Sequence, residues 1–192
     1  MGEAVELIDV VPRQLGKLAA LGTVTAGPLP GADWFRLEGT FERVGRFGIA
    51  VRGRARSALL FARKPLRQLD GSTIAVTDQS STTACLLRLL LEQRYGLRPA
   101  AYVAGRAPDA DALLLIGDEA LTFQKANAQY PFEIDVGFEW WLWQHLPFVF
   151  AVWAIRKDAE ATVKKGLELA LTKALAMNTA RIAAIASEYS TR

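Results

Sequence analysis

The residues of this chain best suited to chemistry gather where apolar runs give way to helix starts. The first such place is Thr77-Asp78-Gln79-Ser80-Ser81-Thr82-Thr83. Ser and Thr at a junction of this kind cap the helix, and with its unpaired backbone N–H groups they form a cradle for a carboxylate or phosphate. A cap uses one or two hydroxyls, whereas Ser80, Ser81, Thr82 and Thr83 supply four in succession, so both capping and ligand contact stand as readings. The segment is not a P-loop, because no GxxxxGKS or GxxxxGKT pattern occurs in the chain. The second junction is Gly117-Asp118-Glu119-Ala120-Leu121. Gly117 lets a ligand come close to the backbone, and Asp118 either caps the helix or acts on a substrate.

Ser57 follows the turn Arg52-Gly53-Arg54-Ala55-Arg56 and can turn its hydroxyl into a gap between lobes, although a lone serine carries little by itself. Arg56 belongs to a run, Arg43 to Arg67, with eight cations and no acid. Such a run is either a solvated surface or the flank of a site for a small anion. No recognition helix or aromatic ladder accompanies it, so nucleic acid is not an expected partner. His145, in Trp143-Gln144-His145-Leu146-Pro147, lies at a helix end and is expected to satisfy carbonyls there. Cys85 reads as inert packing, and Trp140, Trp141, Trp143, Phe148, Phe150 and Trp153 as core or lobe interface, with room for one ring to wall a ligand.

These residues need elements to hold them. Apolar periodicity predicts strands at 6–11, 22–26, 47–51, 57–62, 73–77, 101–104, 112–116 and 148–154. It predicts helices at 12–21, 81–95, 118–125 and 135–145, a brief amphipathic turn around Trp34, Phe35 and Leu37, and a long helical tail. In the tail Val163, Leu167, Ala170, Leu171 and Ala174 recur at helical spacing, so one face must pack on something. Beyond Gly71 strands alternate with helices, which implies an α/β fold with a parallel sheet. The strand at 148–154 is continuous enough to be buried on both faces. Ligand crevices of such folds lie beyond the carboxyl ends of the strands, where both junctions fall.

With 192 residues, 51% of them apolar, the chain can bury a core as one domain or two small lobes. One cysteine and one histidine exclude an internal disulfide, a cysteine-built zinc site and any site with several imidazoles. The longest apolar run, 148–155, falls short of the roughly 20 residues of a membrane-spanning helix, so no membrane is expected. The first twenty residues carry acids and no basic start followed by an apolar stretch, which makes the cytoplasm the expected location.

Three strings resemble a known family: Ser57-Ala58-Leu59-Leu60-Phe61, the run from Leu113 to Leu121 (LLLIGDEAL) and the run from Leu146 to Ala154 (LPFVFAVWA). In order and spacing they are similar to the chorismate dehydratases of the futalosine route to menaquinone. The resemblance implies a two-lobed fold of the type 2 periplasmic-binding-protein kind, with mixed or parallel sheets and substrate in the interlobe cleft. Residues 1–66 and 148–192 would form one lobe and 67–147 the other. It implies elimination of water from the dicarboxylate chorismate to give 3-[(1-carboxyvinyl)oxy]benzoate, a hydro-lyase reaction without metal or organic cofactor. Ser57 matches the family serine associated with activity. Ser80, Thr82 and Thr83 match the hydroxyls around a substrate carboxylate, with Ser81 among them, and Gly117 with Asp118 the second cleft junction.

The family's usual Asp-Gly-Pro turn is replaced here by Arg52-Gly53-Arg54, and its YLN-type motif does not occur before Glu6. A first lobe without that unit would have an unpaired sheet edge, which favours a homodimer. The alternative to the lyase is a non-catalytic module of the same fold that binds a small carboxylate.

Overall fold

The computed structural model describes residues 5–124 and 128–190, which build two β-sheets with helices around them. The smaller is antiparallel, with β1 (Ala26–Pro30) and β2 (Phe41–Val51) on either side of β8 (Phe148–Arg156). The larger contains β3 (Ala58–Ala62), β4 (Thr73–Val76), β5 (Ala101–Ala104), β6 (Ala112–Ile116) and β7 (Phe132–Asp135), in the order β5-β4-β6-β3-β7. It is mixed, not purely parallel: β4 runs parallel to β5 and β6, whereas β3 is antiparallel to β6 and β7. The reason is the route of entry. The chain reaches β3 from the smaller sheet, arriving at the end where β6 finishes, so it must run the opposite way.

The sequence ALLFA of β3 is buried at all five positions, which demands neighbours on both edges and cover on both faces. Helices α3 (Ser81–Leu89) and α5 (Val136–Gln144) provide it on one face, where Leu60, Ile74, Leu86, Leu87, Leu114 and Val136 meet. Helix α4 (Gly117–Gln124) covers the other, its Ala120 packing with Leu59, Phe61, Leu113 and Leu115. Alternate residues of β3 and β6 thus point into two different cores, the period-2 signature of a strand. The third core joins Leu29, Phe41 and Ala154 of the smaller sheet to Ala19 of α1 (Pro12–Ala20), with Trp34 of α2 (Gly31–Leu37) packed against it. The strand expected within the first lobe at 57–62 therefore lies in the larger sheet, and the chain crosses between sheets at 52–57, not at 66–67.

Several expectations need correction. Residues 6–11 form no strand, having no neighbour to pair with, and Leu7 and Ile8 are exposed. The strand expected at 22–26 sits at β1, whose Pro28 and Pro30 are tolerated because β1 is an edge strand. The turn around Trp34 is the helix α2, and β2 begins at Phe41, its register broken between Arg43 and Gly48 and again between Ile49 and Ala50. Helix α3 passes at Leu90–Arg94 into a π turn. The end of the predicted helix 118–125, Lys125, lies outside the described residues. Strand β8 is not buried on both faces, since Val149 is 46% exposed.

The tail forms α6 (Ala161–Ala180) and α7 (Ile182–Ser190). Val163, Leu167 and Leu171 are half-buried while Ala170 and Ala174 are exposed, so the packing face is narrower than its pattern suggested. Among the described residues no single helix is long and apolar enough to cross a membrane.

One polar tie holds the larger sheet at the end away from its helix-start junctions. Asp111 Oδ2 accepts from the Thr73 N–H at 2.9 Å, and Oδ1 lies 3.3 Å from Lys64 Nζ. The Thr73 amide, then Lys64, hold this carboxyl below its usual value. A depressed carboxyl stabilises the fold above its unfolded value and loses that contribution as pH falls through its folded one. Asp111→Asn should therefore lower Tm at pH 7, and the gap to wild type should close as pH drops below about 4 in paired melting curves.

Candidate anion-binding cleft

Ser80 ends the loop after β4 in extended conformation, with φ −134° and ψ 127°, and its Oγ accepts from the Thr83 N–H at 3.1 Å. This is the N-cap of α3. The same hydroxyl donates to Thr83 Oγ1 at 2.9 Å. The other two hydroxyls face the smaller unit: Thr82 Oγ1 accepts from the Ala32 N–H at 3.1 Å, and Ser81 Oγ donates to Asp33 Oδ2 at 2.6 Å. The Arg13 N–H reaches Gln79 O at 3.0 Å, so α1 and α2 both dock on the start of α3. Only the Ser80–Thr83 pair is needed for the cap; Ser81 and Thr82 tie two parts of the molecule together.

Between α1 and α2 on one side and α3, β4 and β5 on the other lies a cleft of about 520 Å³. Arg13, Lys17, Arg36 and Arg88 line it, with Asp33 as the one carboxylate among the described lining residues. Asp33 tucks against Gly16, where a Cβ would come within 2.3 Å of Oδ2, and pairs with Arg36 at 3.5 Å. The excess of cations, from α1, α2 and the last turn of α3, together with the N-terminus of α3, makes the cleft electropositive, which suits a small anion. Tyr102 forms part of the wall beneath Arg88, whose guanidinium carbon lies 4.4 Å from the ring centroid. Burial, then hydrogen bonding to Glu92, pushes the Tyr102 hydroxyl far above its ordinary value. It offers the cleft a neutral aromatic wall.

The predicted site residues divide into two groups. Ser80 and Ser81 line the cleft; Thr82 and Thr83 are buried behind it. Ser57, Arg56, Gly117 and Asp118 lie outside its lining. Ser57 is half-buried, and its carbonyl accepts from the Gly117 N–H at 2.8 Å, which brings those two together as expected of adjoining strand ends. The Thr77 N–H bonds Leu114 O at 3.0 Å, so Ser57, Gly117 and Thr77 follow one another along a single end of the sheet, roughly one strand spacing apart. Gln79 Nε2 reaches Glu119 Oε2 at 3.5 Å and links this end to α4. Asp118 stands exposed in the first turn of α4 and makes no side-chain hydrogen bond among the described residues, because the helix already starts at Gly117. Arg56 is exposed.

Three further residues complete the comparison with expectation. His145 does serve the end of α5, but through its backbone: at φ 54° its N–H donates to Trp141 O at 2.9 Å. Cys85 is not inert packing; it is exposed and lines the cleft. Trp140, Trp143, Phe148 and Phe150 pack on the core, as read. The cations of α1 and α2 went unrecognised, since nothing in their separate segments shows that they face α3.

This arrangement of two sheets with a cleft at a helix start is the periplasmic-binding-protein-like fold. The protein AF1704 from Archaeoglobus fulgidus shares it at a TM-score of 0.60 and 19% identity, over 83% of this chain and 59% of that one. The aliphatic sulphonate binding protein SsuA from Escherichia coli does so at 0.51 and 14%, over 86% and 57%. The family described as menaquinone biosynthesis matches residues 1–192, and the chain belongs to it. The chorismate dehydratase of Thermus thermophilus is 30% identical over 178 residues, covering 81% of this chain; the match spans 63% of that relative's length. The cytoplasmic location expected from the opening residues is corrected by these comparisons. SsuA is a periplasmic protein, so the fold is at home outside the cytoplasm, and the opening residues assign no compartment.

Proposed function

We propose that the cleft beside α3 binds a small carboxylate of the chorismate class, and that the reaction this binding serves is elimination of water from chorismate to 3-[(1-carboxyvinyl)oxy]benzoate. The observation that carries the binding is the placement of four cations around one cleft, Arg13, Lys17 and Arg36 from α1 and α2 and Arg88 from the last turn of α3. The lyase step rests on the 30% identity to the Thermus thermophilus chorismate dehydratase. In this reading the two sheets with their helices are the two lobes. Residues of α1 and the start of α3 hold the carboxylates, and Ser57, two strands along the same sheet end, helps orient the ring. The elimination removes a ring proton and expels the hydroxyl, and fixed donors at both carboxylates supply much of the rate by positioning.

Binding without turnover is the second reading. It is favoured by the engagement of Ser80, Ser81, Thr82 and Thr83 within the protein and by the position of Ser57 outside the cleft. Incubation with chorismate, followed by chromatographic detection of the enolpyruvyl benzoate, separates the two. The lyase predicts product in wild type and a fall of roughly tenfold or more in Ser57→Ala with Tm preserved. Chorismate binding with no product in wild type supports the binding module.

A further inference from the structure

We infer that Asp135 is a positioning residue for Ser57, an assignment that rests on the proposed role of that serine. Asp135 ends β7 and is 7% exposed. Its Oδ1 accepts from the Phe138 N–H at 3.0 Å, which caps α5. Capping would be complete with that bond. The same carboxylate also takes two successive amides of the crossover between the sheets: the Ala55 N–H on Oδ1 at 3.0 Å and the Arg56 N–H on Oδ2 at 2.8 Å.

The clamp has a visible consequence in the backbone. Arg56 adopts φ 65°, and among the described non-glycine residues only His145 shares a positive value. A side-chain-bearing residue holds that conformation when its surroundings over-determine it, and the pair of bonds to Asp135 does so. The next residue is Ser57, whose carbonyl receives the Gly117 N–H before β3 begins to pair. Gly137 lets α5 press on the crossover, since a Cβ there would lie 2.9 Å from that of Ala55. Asp135 thus sets the point at which Ser57 enters the sheet end beside Gly117.

The discriminating variant is Asp135→Asn. Its amide oxygen can still accept from Phe138 and Ala55, but its NH2 group faces the Arg56 N–H, donor against donor. The expected result is amide exchange at Arg56 and Gly117 accelerated by roughly tenfold or more with the remaining core protected. Turnover or chorismate affinity should fall as far as in Ser57→Ala, and the second substitution should add less than about twofold to the first. Arg56→Gly in the Asp135→Asn background should restore function, because glycine adopts the positive φ without the clamp. Unchanged exchange at Gly117 overturns the inference, as does a loss in Asp135→Asn that adds in full to that of Ser57→Ala. Accelerated exchange with function untouched in both single variants upholds the clamp and removes Ser57 from the site.

Discussion

Reversing two charges on α1, Arg13→Glu with Lys17→Glu, is expected to weaken chorismate binding by roughly 10- to 100-fold at low salt. The two side chains are one helical turn apart, exposed, and face the same cleft. At separations of about 8 Å in a solvent-exposed cleft, each unit of charge changed is worth roughly half a kcal/mol, and reversing both residues changes four units, about 2 kcal/mol in all. Screening makes the effect salt-dependent, so the gap to wild type should narrow as ionic strength rises past about 0.15 M. Neither residue is buried, and the melting temperature should move little. Calorimetric titration of both proteins at two salt concentrations measures the effect. Equal affinities would move the anion site away from α1, towards the sheet end at Ser57 and Gly117.

The second large effect is on stability. Leu114→Ala is expected to cost about 2–5 kcal/mol, read as a lowered urea midpoint. Leu114 is 0% exposed on β6, the middle strand of the larger sheet, opposite Leu60 and within the core that α3 and α5 cover. Its carbonyl also receives the Thr77 N–H, so the strand that loses its packing is the one that anchors the loop leading to Ser80. Ligand affinity measured on the folded fraction should change far less than stability does, because the methyl groups removed lie beneath the site and not in it. A loss of only a few tenths of a kcal/mol would show that this core can collapse around the deletion.

The parts of the fold legible in the sequence are those where local pattern and tertiary demand agree. Strands β5 and β6 fall where their apolar runs do, and Ser80 caps the helix that the Ser/Thr run announces. Strand β7 was missed because Phe-Glu-Ile-Asp, although it alternates, is only four residues long and runs straight into the start of α5; as an edge strand it is held mainly by its ladder with β3. The length of β2 was hidden by its two register shifts. The direction of β3 was not legible at all, since orientation depends on where the chain enters a sheet and not on which residues it carries.

The site shows the same division. The hydroxyl run was visible, but its neighbours were not: Asp33 and Ala32 reach Ser81 and Thr82 across 48 and 50 positions of sequence. Asp135 was similarly hidden. Its sequence context marks a helix start, and only the fold reveals that the same carboxylate also holds Ala55 and Arg56.

The most direct test of the anion-binding cleft is a calorimetric titration of the wild-type chain with chorismate, repeated with chorismate's uncharged dimethyl ester. The account predicts saturable one-to-one binding of chorismate that weakens with salt, and at least roughly tenfold weaker binding of the ester, which carries no charge for the four cations to meet. Equal binding of acid and ester, or binding of neither, would contradict it.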